Sequence, residues 1–130
     1  MKRIIVSTSE KFQILNITQK VEENIKELNE GVVLVFLPHA TAGLMLEEDE
    51  EGLKRDIIKK LREIVPEDGK YEHNKIDDNA HAHILSGMVK QFVILPVKNG
   101  RFVRGTWQEI LLLEFDGPRE REVIIELIPS

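Results

Sequence analysis

The sequence predicts a single α+β domain over residues 1–130, a mostly antiparallel sheet packed with two main helices and one short helix. Helix-spaced and strand-spaced apolar runs follow one another without the regular strand–helix alternation of parallel α/β folds. The C-terminal third reads as consecutive strands joined by tight turns, at Asn99-Gly100 and at Asp116-Gly117-Pro118. A chain of 130 residues suffices for one buried core but not comfortably for two, and no linker, repeat or low-complexity stretch divides it.

Residues 3–6 (RIIV) and 11–15 (KFQIL) read as an opening hairpin around the polar turn STSE. Asn16, with Gln19 three places on, suits the start of a helix whose apolar stripe is Ile17, Val21, Ile25 and Leu28, ending at Asn29 and Gly31. The continuous apolar run 32–37 (VVLVFL), bounded by Gly31 and Pro38, reads as a strand covered on both faces. A second helix follows PHATAG, with Leu53, Ile57, Leu61 and Ile64 on one face, the acids 47–51 in or just before its first turn, and Pro66 as its stop. Residues 66–79 form a long polar loop carrying His73. A short helix capped by Asp78 or Asn79 and closing near Gly87 comes next. Strand 91–97, the Asn99-Gly100 turn, one long strand over 101–115, the DGPR turn and a last strand complete the reading.

Composition narrows the function. There is no cysteine, so disulfides, thiolate metal sites and cysteine nucleophiles are excluded, and any metal must be held by nitrogen and oxygen. The net charge of -5, from 23 acids against 18 Lys plus Arg, disfavours general attraction to nucleic acid or an anionic membrane. No segment approaches the roughly 20 apolar residues of a membrane span, and the N-terminal stretch lacks the apolar core of a signal peptide, so a cytoplasmic location is expected. Phosphate-loop, dinucleotide, nucleophile-elbow and HExxH patterns are all missing.

The chemistry-bearing residues are the four histidines: His39 after a core strand, His73 in the long loop, and His81 with His83 opening the third helix. Three imidazoles and a water make an open zinc site if they converge, whereas four unrelated surface histidines make none. On a helix, residues two apart point about 200° apart, so His81 and His83 cannot both face one site equally. Glu48 reads either as compensation of the helix dipole or as a ligand or base near His39. Lys98, Arg101, Arg104, Arg119 and Arg121 suit strand-edge charges; of these, Arg119, directly after the DGP turn, is the candidate for binding phosphate or carboxylate through its planar fork. Trp107 suits core or interface, and as part of a strand it would face opposite to Thr106 and Gln108.

Taken together, PHATAGLMLEED, YEH, NAHAHILSG and ILPVKNGRFVRGTWQEILLLEFDGPRER resemble the YjbQ-like family of small bacterial and archaeal proteins. The resemblance implies a compact α+β fold, a homotrimer, and histidines gathered at a metal site. It also implies, for some members, secondary thiamine-phosphate synthase activity, in which a pyrimidine methyl diphosphate loses pyrophosphate to a thiazole phosphate nitrogen. By matching motif, His39, His73, His81 and His83 become metal-site candidates. Glu48, His83 and Arg119 become catalytic candidates, and Trp107, Gln108 and Arg119 substrate-binding ones. The chain departs from the family pattern at residues 46–53 (LEEDEEGL), where acids Glu47 and Asp49 replace amides, and at Ala40, which replaces a threonine. The reading is a metal-assisted enzyme on small phosphorylated heterocycles, with zinc as the metal or magnesium for a diphosphate substrate. The alternatives are a non-catalytic trimer that binds a metal or small anion, and a zinc-dependent hydrolase with Glu48 as base.

Overall fold

The computed structural model describes residues 1–130. Its organising feature is parity: in each strand, alternate residues choose between two layers. β1 (Lys2–Ser7), β3 (Glu30–Phe36), β5 (Phe92–Lys98), β6 (Arg101–Phe102) and β8 (Glu120–Pro129) form one antiparallel sheet in the order β1-β8-β3-β5-β6. β2 (Gln13–Asn16), β4 (Ala42–Glu47) and β7 (Glu109–Glu114) form a second sheet, β2-β7-β4. Val33, Val35, Val93, Leu95, Val123 and Ile125 of the first sheet meet Leu44, Ile110 and Leu112 of the second in the main core. On the other face of the second sheet, Ile14, Leu111, Leu113 and Phe115 pack against the helices α2 (Glu51–Ile64) and α3 (Ala80–Val89) through Ile57, Ile58, Leu61, Ala82 and Leu85. The three-stranded sheet is therefore the middle of three layers. No helix is long and apolar enough to cross a membrane.

The α+β class holds, while several local expectations are revised. β1 and β2 form no hairpin, because β1 pairs with β8 and β2 with β7. The first helix, α1 (Thr18–Glu22), is one short turn; Ile17, Val21, Ile25 and Leu28 are all buried, but turns carry the last two. Asn16 starts it differently from a capping box, its Oδ1 accepting the Thr18 N–H at 3.0 Å. β4 had no expectation of its own, since Leu44-Met45-Leu46 is equally at home in a helix and lacks β-branched residues. β3 is covered on one face only: Val33, Val35 and Leu37 are buried, while Phe36 is exposed. Within one chain the strand buried on both faces is β7 instead. The expected long strand 101–115 breaks at residues 103–108, which carry the chain from one sheet to the other. Asn99 and Gly100 do make the tight turn, both with positive φ (54° and 72°), as a two-residue hairpin loop requires.

The outer face of the five-stranded sheet is apolar and open. Phe36 pairs with Phe92 and Leu34 with Ile94, and Ile5, Ile94, Phe92 and Ile128 are all exposed on it.

Candidate functional site

Two sequence motifs meet at one end of the middle sheet. The DGPR turn follows β7, and the NAHAH stretch opens α3. Asn79, buried at the helix start, donates from Nδ2 to Asp116 Oδ2 at 3.0 Å, and its Oδ1 lies 3.1 Å from His73 Nε2. Since an amide oxygen only accepts, His73 Nε2 carries a proton and its Nδ1 is the open nitrogen. The cap expected of Asp78 or Asn79 falls instead to Asn74, whose Oδ1 accepts the Ala80 N–H at 3.2 Å. Asn79 is thereby free to bridge the loop and the turn. The helix also runs past Gly87 to Val89, ending with Lys90 at φ 98°.

Arg119 is clamped by the same turn. Its Nε donates to the Asp116 carbonyl and its Nη2 to Asp116 Oδ2, both at 2.8 Å, and half of the guanidinium side chain stays exposed. Burial works against ionisation of Asp116, but hydrogen bonds from Asn79 and Arg119, with the Arg119 charge, outweigh it and hold the carboxyl below its usual range. His83, exposed, packs edge-on against His73 with ring centroids 4.8 Å apart. One surface ridge thus carries a cation and two imidazoles.

Beneath the ridge lies a buried ion pair. Glu114 and Arg121 are almost wholly enclosed and joined through both guanidinium Nε and Nη2. Glu114 also accepts the Thr8 hydroxyl at 2.7 Å and the N–H groups of Phe115 and Asp116 at 3.1 and 3.0 Å. Thr8 in turn accepts the Arg119 N–H at 2.9 Å. Arg121 Nη2 donates to the Thr41 hydroxyl at 2.9 Å and to its carbonyl at 3.2 Å. Such a pair is tolerated because the carboxylate accepts three further hydrogen bonds and the guanidinium makes two more through Nη2. Arg121 is thus a core charge and not a strand-edge one. Gly117 is required where the turn closes on this network, since a Cβ there would stand 2.2 Å from the Glu10 carbonyl oxygen.

His39 joins from the far side, its Nε2 accepting the Glu122 N–H at 2.9 Å. Burial first, then the Arg121 charge, push its pKa below the ordinary histidine value of 6.5. His81 faces away from His83, as the helical spacing requires: it is fully buried, 5.7 Å from the Phe12 ring, with neither ring nitrogen hydrogen-bonded. His73 is therefore bonded into the polar network through Asn79, His83 packs on His73, His39 is fixed to the backbone next to Arg121, and His81 lies in the helix–sheet core.

The donor set is a test for a metal. A structural or catalytic zinc asks for three or four protein ligands. No three His, Asp or Glu side chains of this chain converge as a metal-holding group. His81 is enclosed and the His39 Nε2 lone pair is engaged, so His73 and His83 remain as two donors. A zinc centre does not fit the chain taken singly.

The other expected site residues stand elsewhere. Ala42 pairs with Glu114 at the network's end of the middle sheet and Glu47 with Glu109 at the other, five residues or about 17 Å away along the strand. Glu48 and Trp107 belong to that far end, where they line a cleft of about 420 Å³ with Asn16, Asp49, Glu50 and Glu109. Trp107 is 70% exposed on the 103–108 turn, neither core nor part of a strand. Gln108 closes that turn by accepting the Gly105 N–H at 2.8 Å. Sequence reading missed Thr8, Thr41, Glu114 and Arg121 as network members. Parity held the clue: Arg121 shares a strand face with Val123 and Ile125, and Glu114 with Ile110 and Leu112, so both charges point between the sheets.

The model of the UPF0047 protein YjbQ-like family matches residues 2–130. A UPF0047 protein of Archaeoglobus fulgidus is 40% identical over 125 residues, covering 96% of this chain and 98% of its own length. The UPF0047 protein YugU of Bacillus subtilis is 31% identical over 131 residues, covering 98% of both. Among solved structures, a YjbQ-like protein of unknown function from Sulfolobus solfataricus superposes with a TM-score of 0.96 at 39% identity, covering 99% of this chain and 96% of that one. With its α+β layers and almost its whole length matched, the chain belongs to the YjbQ-like UPF0047 family.

Proposed function

We propose that the chain is an enzyme acting on small phosphorylated heterocycles, of the type that forms thiamine phosphate by displacing pyrophosphate. The observation that carries this reading is the ridge itself, an Asp116-clamped, half-exposed Arg119 linked through Asn79 to the paired imidazoles of His73 and His83. A guanidinium fixed on one edge keeps its other N–H groups for phosphate oxygens. Imidazoles beside it are groups of the kind that serve as general acids and bases. In a displacement of pyrophosphate, Arg119 takes up the charge developing on the leaving group and His83 gives it a proton. The divalent metal of this reading travels with the diphosphate as magnesium, which keeps most of its water and asks few protein ligands. Zinc becomes the cofactor where a neighbouring copy adds donors to His73 and His83. A homotrimer belongs to the same proposal, supported by the open apolar face around Phe36, Phe92 and Ile94.

The test is calorimetric titration with inorganic pyrophosphate, followed by an assay for thiamine phosphate from its two phosphorylated precursors with magnesium or zinc. Wild-type protein is expected to bind and turn over, and Arg119→Met to lose at least tenfold in pyrophosphate affinity. Pyrophosphate binding without turnover would identify an anion-binding protein; no binding at all would remove the reading.

A further inference from the structure

His39 is held between two fixed points. Its Nε2 accepts the backbone N–H of Glu122. The residue before Glu122 is Arg121, immobilised by Glu114 and Thr41, and Thr41 is itself two residues after His39. A backbone amide only donates, so Nε2 presents its lone pair to Glu122 and the ring's one proton is on Nδ1. Nδ1 has no partner within the protein, yet it is not enclosed, because the only enclosed and unpartnered side-chain nitrogens are those of His81. The atom His39 offers outward is an N–H. A metal needs a lone pair, and this ring has none to give.

We propose that His39 is a neutral hydrogen-bond donor, through Nδ1–H, to an anionic oxygen of the bound ligand, and that the Arg121–Glu114 pair is the positioning element that holds it in that tautomer. The proposal rests on reading this end of the molecule as the ligand site. It assigns the ligand a phosphate or carboxylate oxygen at His39, in addition to the group taken by Arg119. The pair acts one residue away from Glu122 and two residues away from His39. Arg121 fixes the segment that presents the Glu122 amide, and its bond to Thr41 fixes the segment that presents the imidazole.

The test is the side-chain nitrogen NMR spectrum of the ¹⁵N-labelled protein, in which the two tautomers have distinct patterns. Ligand-free wild type is expected to show His39 protonated at Nδ1 alone, and an Nε2-protonated His39 would overturn the assignment. Adding inorganic pyrophosphate is expected to move the His39 Nδ1–H signal and that of Arg119 Nε. Movement at Arg119 without His39 would overturn the donor role while leaving the proposed function standing; movement at neither removes both. Zinc added alone is expected to perturb His73 and His83 and to leave His39 Nε2 in place. For the positioning role, Arg121→Met is expected to raise the Nε2-protonated population at least tenfold, and Arg121→Lys, which keeps the charge and one bond, to restore most of the wild-type pattern. An unchanged tautomer in a folded Arg121→Met would overturn it. If Arg121→Met does not fold, Glu114→Gln gives the same reading, since it leaves the cavity filled but loosens Arg121.

Discussion

The two ends of the middle sheet are built on opposite plans. At one, β7 finishes in Glu114, where Thr8 and Thr41 bring partners to the ion pair from far along the chain. At the other, β7 begins at Glu109 beside an exposed Trp107 and a run of acids paired mostly with near neighbours: Asp49 and Glu51 pair with Lys54, Glu50 caps α2 through the N–H groups of Gly52 and Leu53, and Asn16 on Asp49 is the longer contact. Functional candidates named from the sequence fall on both. The difference teaches that a motif match marks a residue without saying which others it works with. Within one chain His73, His83 and Arg119 stand around Asn79 and Asp116, and His39 is fixed to the backbone beside Arg121, whereas Glu48 and Trp107 lie at the opposite end of the middle sheet.

The contrast breaks most sharply at the buried pair. Replacing Glu114 or Arg121 alone by Ala leaves an uncompensated interior charge and is expected to cost about 3–5 kcal/mol of unfolding free energy. The double change Glu114→Leu with Arg121→Met is expected to cost less than either, which urea denaturation of the three variants will check. Gly117→Ala comes next, at about 1–3 kcal/mol for forcing a methyl against the Glu10 carbonyl, readable from the same transitions. Asn79→Ala strips partners from both Asp116 and His73 and is expected to cost about 1–3 kcal/mol. It should also weaken pyrophosphate binding, because Arg119 loses a well-held Asp116.

A pH scan reads the network end through His39 without mutation. His39 has its folded pKa depressed, so the unfolded chain takes up its proton first. Stability is full above 6.5 and falls as pH drops through that value toward the folded one. Asp116, also depressed, adds a second loss once pH falls below its ordinary 3.8. His39→Gln is expected to remove the first step and keep the second. The smallest stability effects belong to the far end, where Glu48→Gln and Trp107→Ala should stay within about 0.5 kcal/mol, as surface changes do. If Trp107→Ala nonetheless weakens pyrophosphate binding, the two ends are joined between subunits, and light scattering should show the assembly.

How far the sequence carried can be argued from particular residues. The helical spacing of His81 and His83 predicted that they part, and one is buried while the other is exposed. Arg119 was singled out by its place after the turn, but its two bonds to Asp116 of that same turn were not foreseen. Glu114 and Arg121 were not recognised, because the parity of a strand such as REREVIIELI shows which residues share a face, while the neighbouring strands settle which face meets the core. The missing β4 and the broken strand at 103–108 have a related cause. Which of two sheets a short apolar run joins is decided by pairing across the chain, not by the run's own periodicity.

The spacing of the network's members also dictates when it can exist. Thr8 meets Glu114 across 106 residues, Thr41 meets Arg121 across 80, and His39 meets Glu122 across 83. During synthesis the histidines and both threonines leave the ribosome well before the strand that locks them. The buried network is thus a property of the finished polypeptide. A chain cut before β8 carries every histidine but lacks Arg121 and Glu122, and with them the bonds that hold Thr41 and His39.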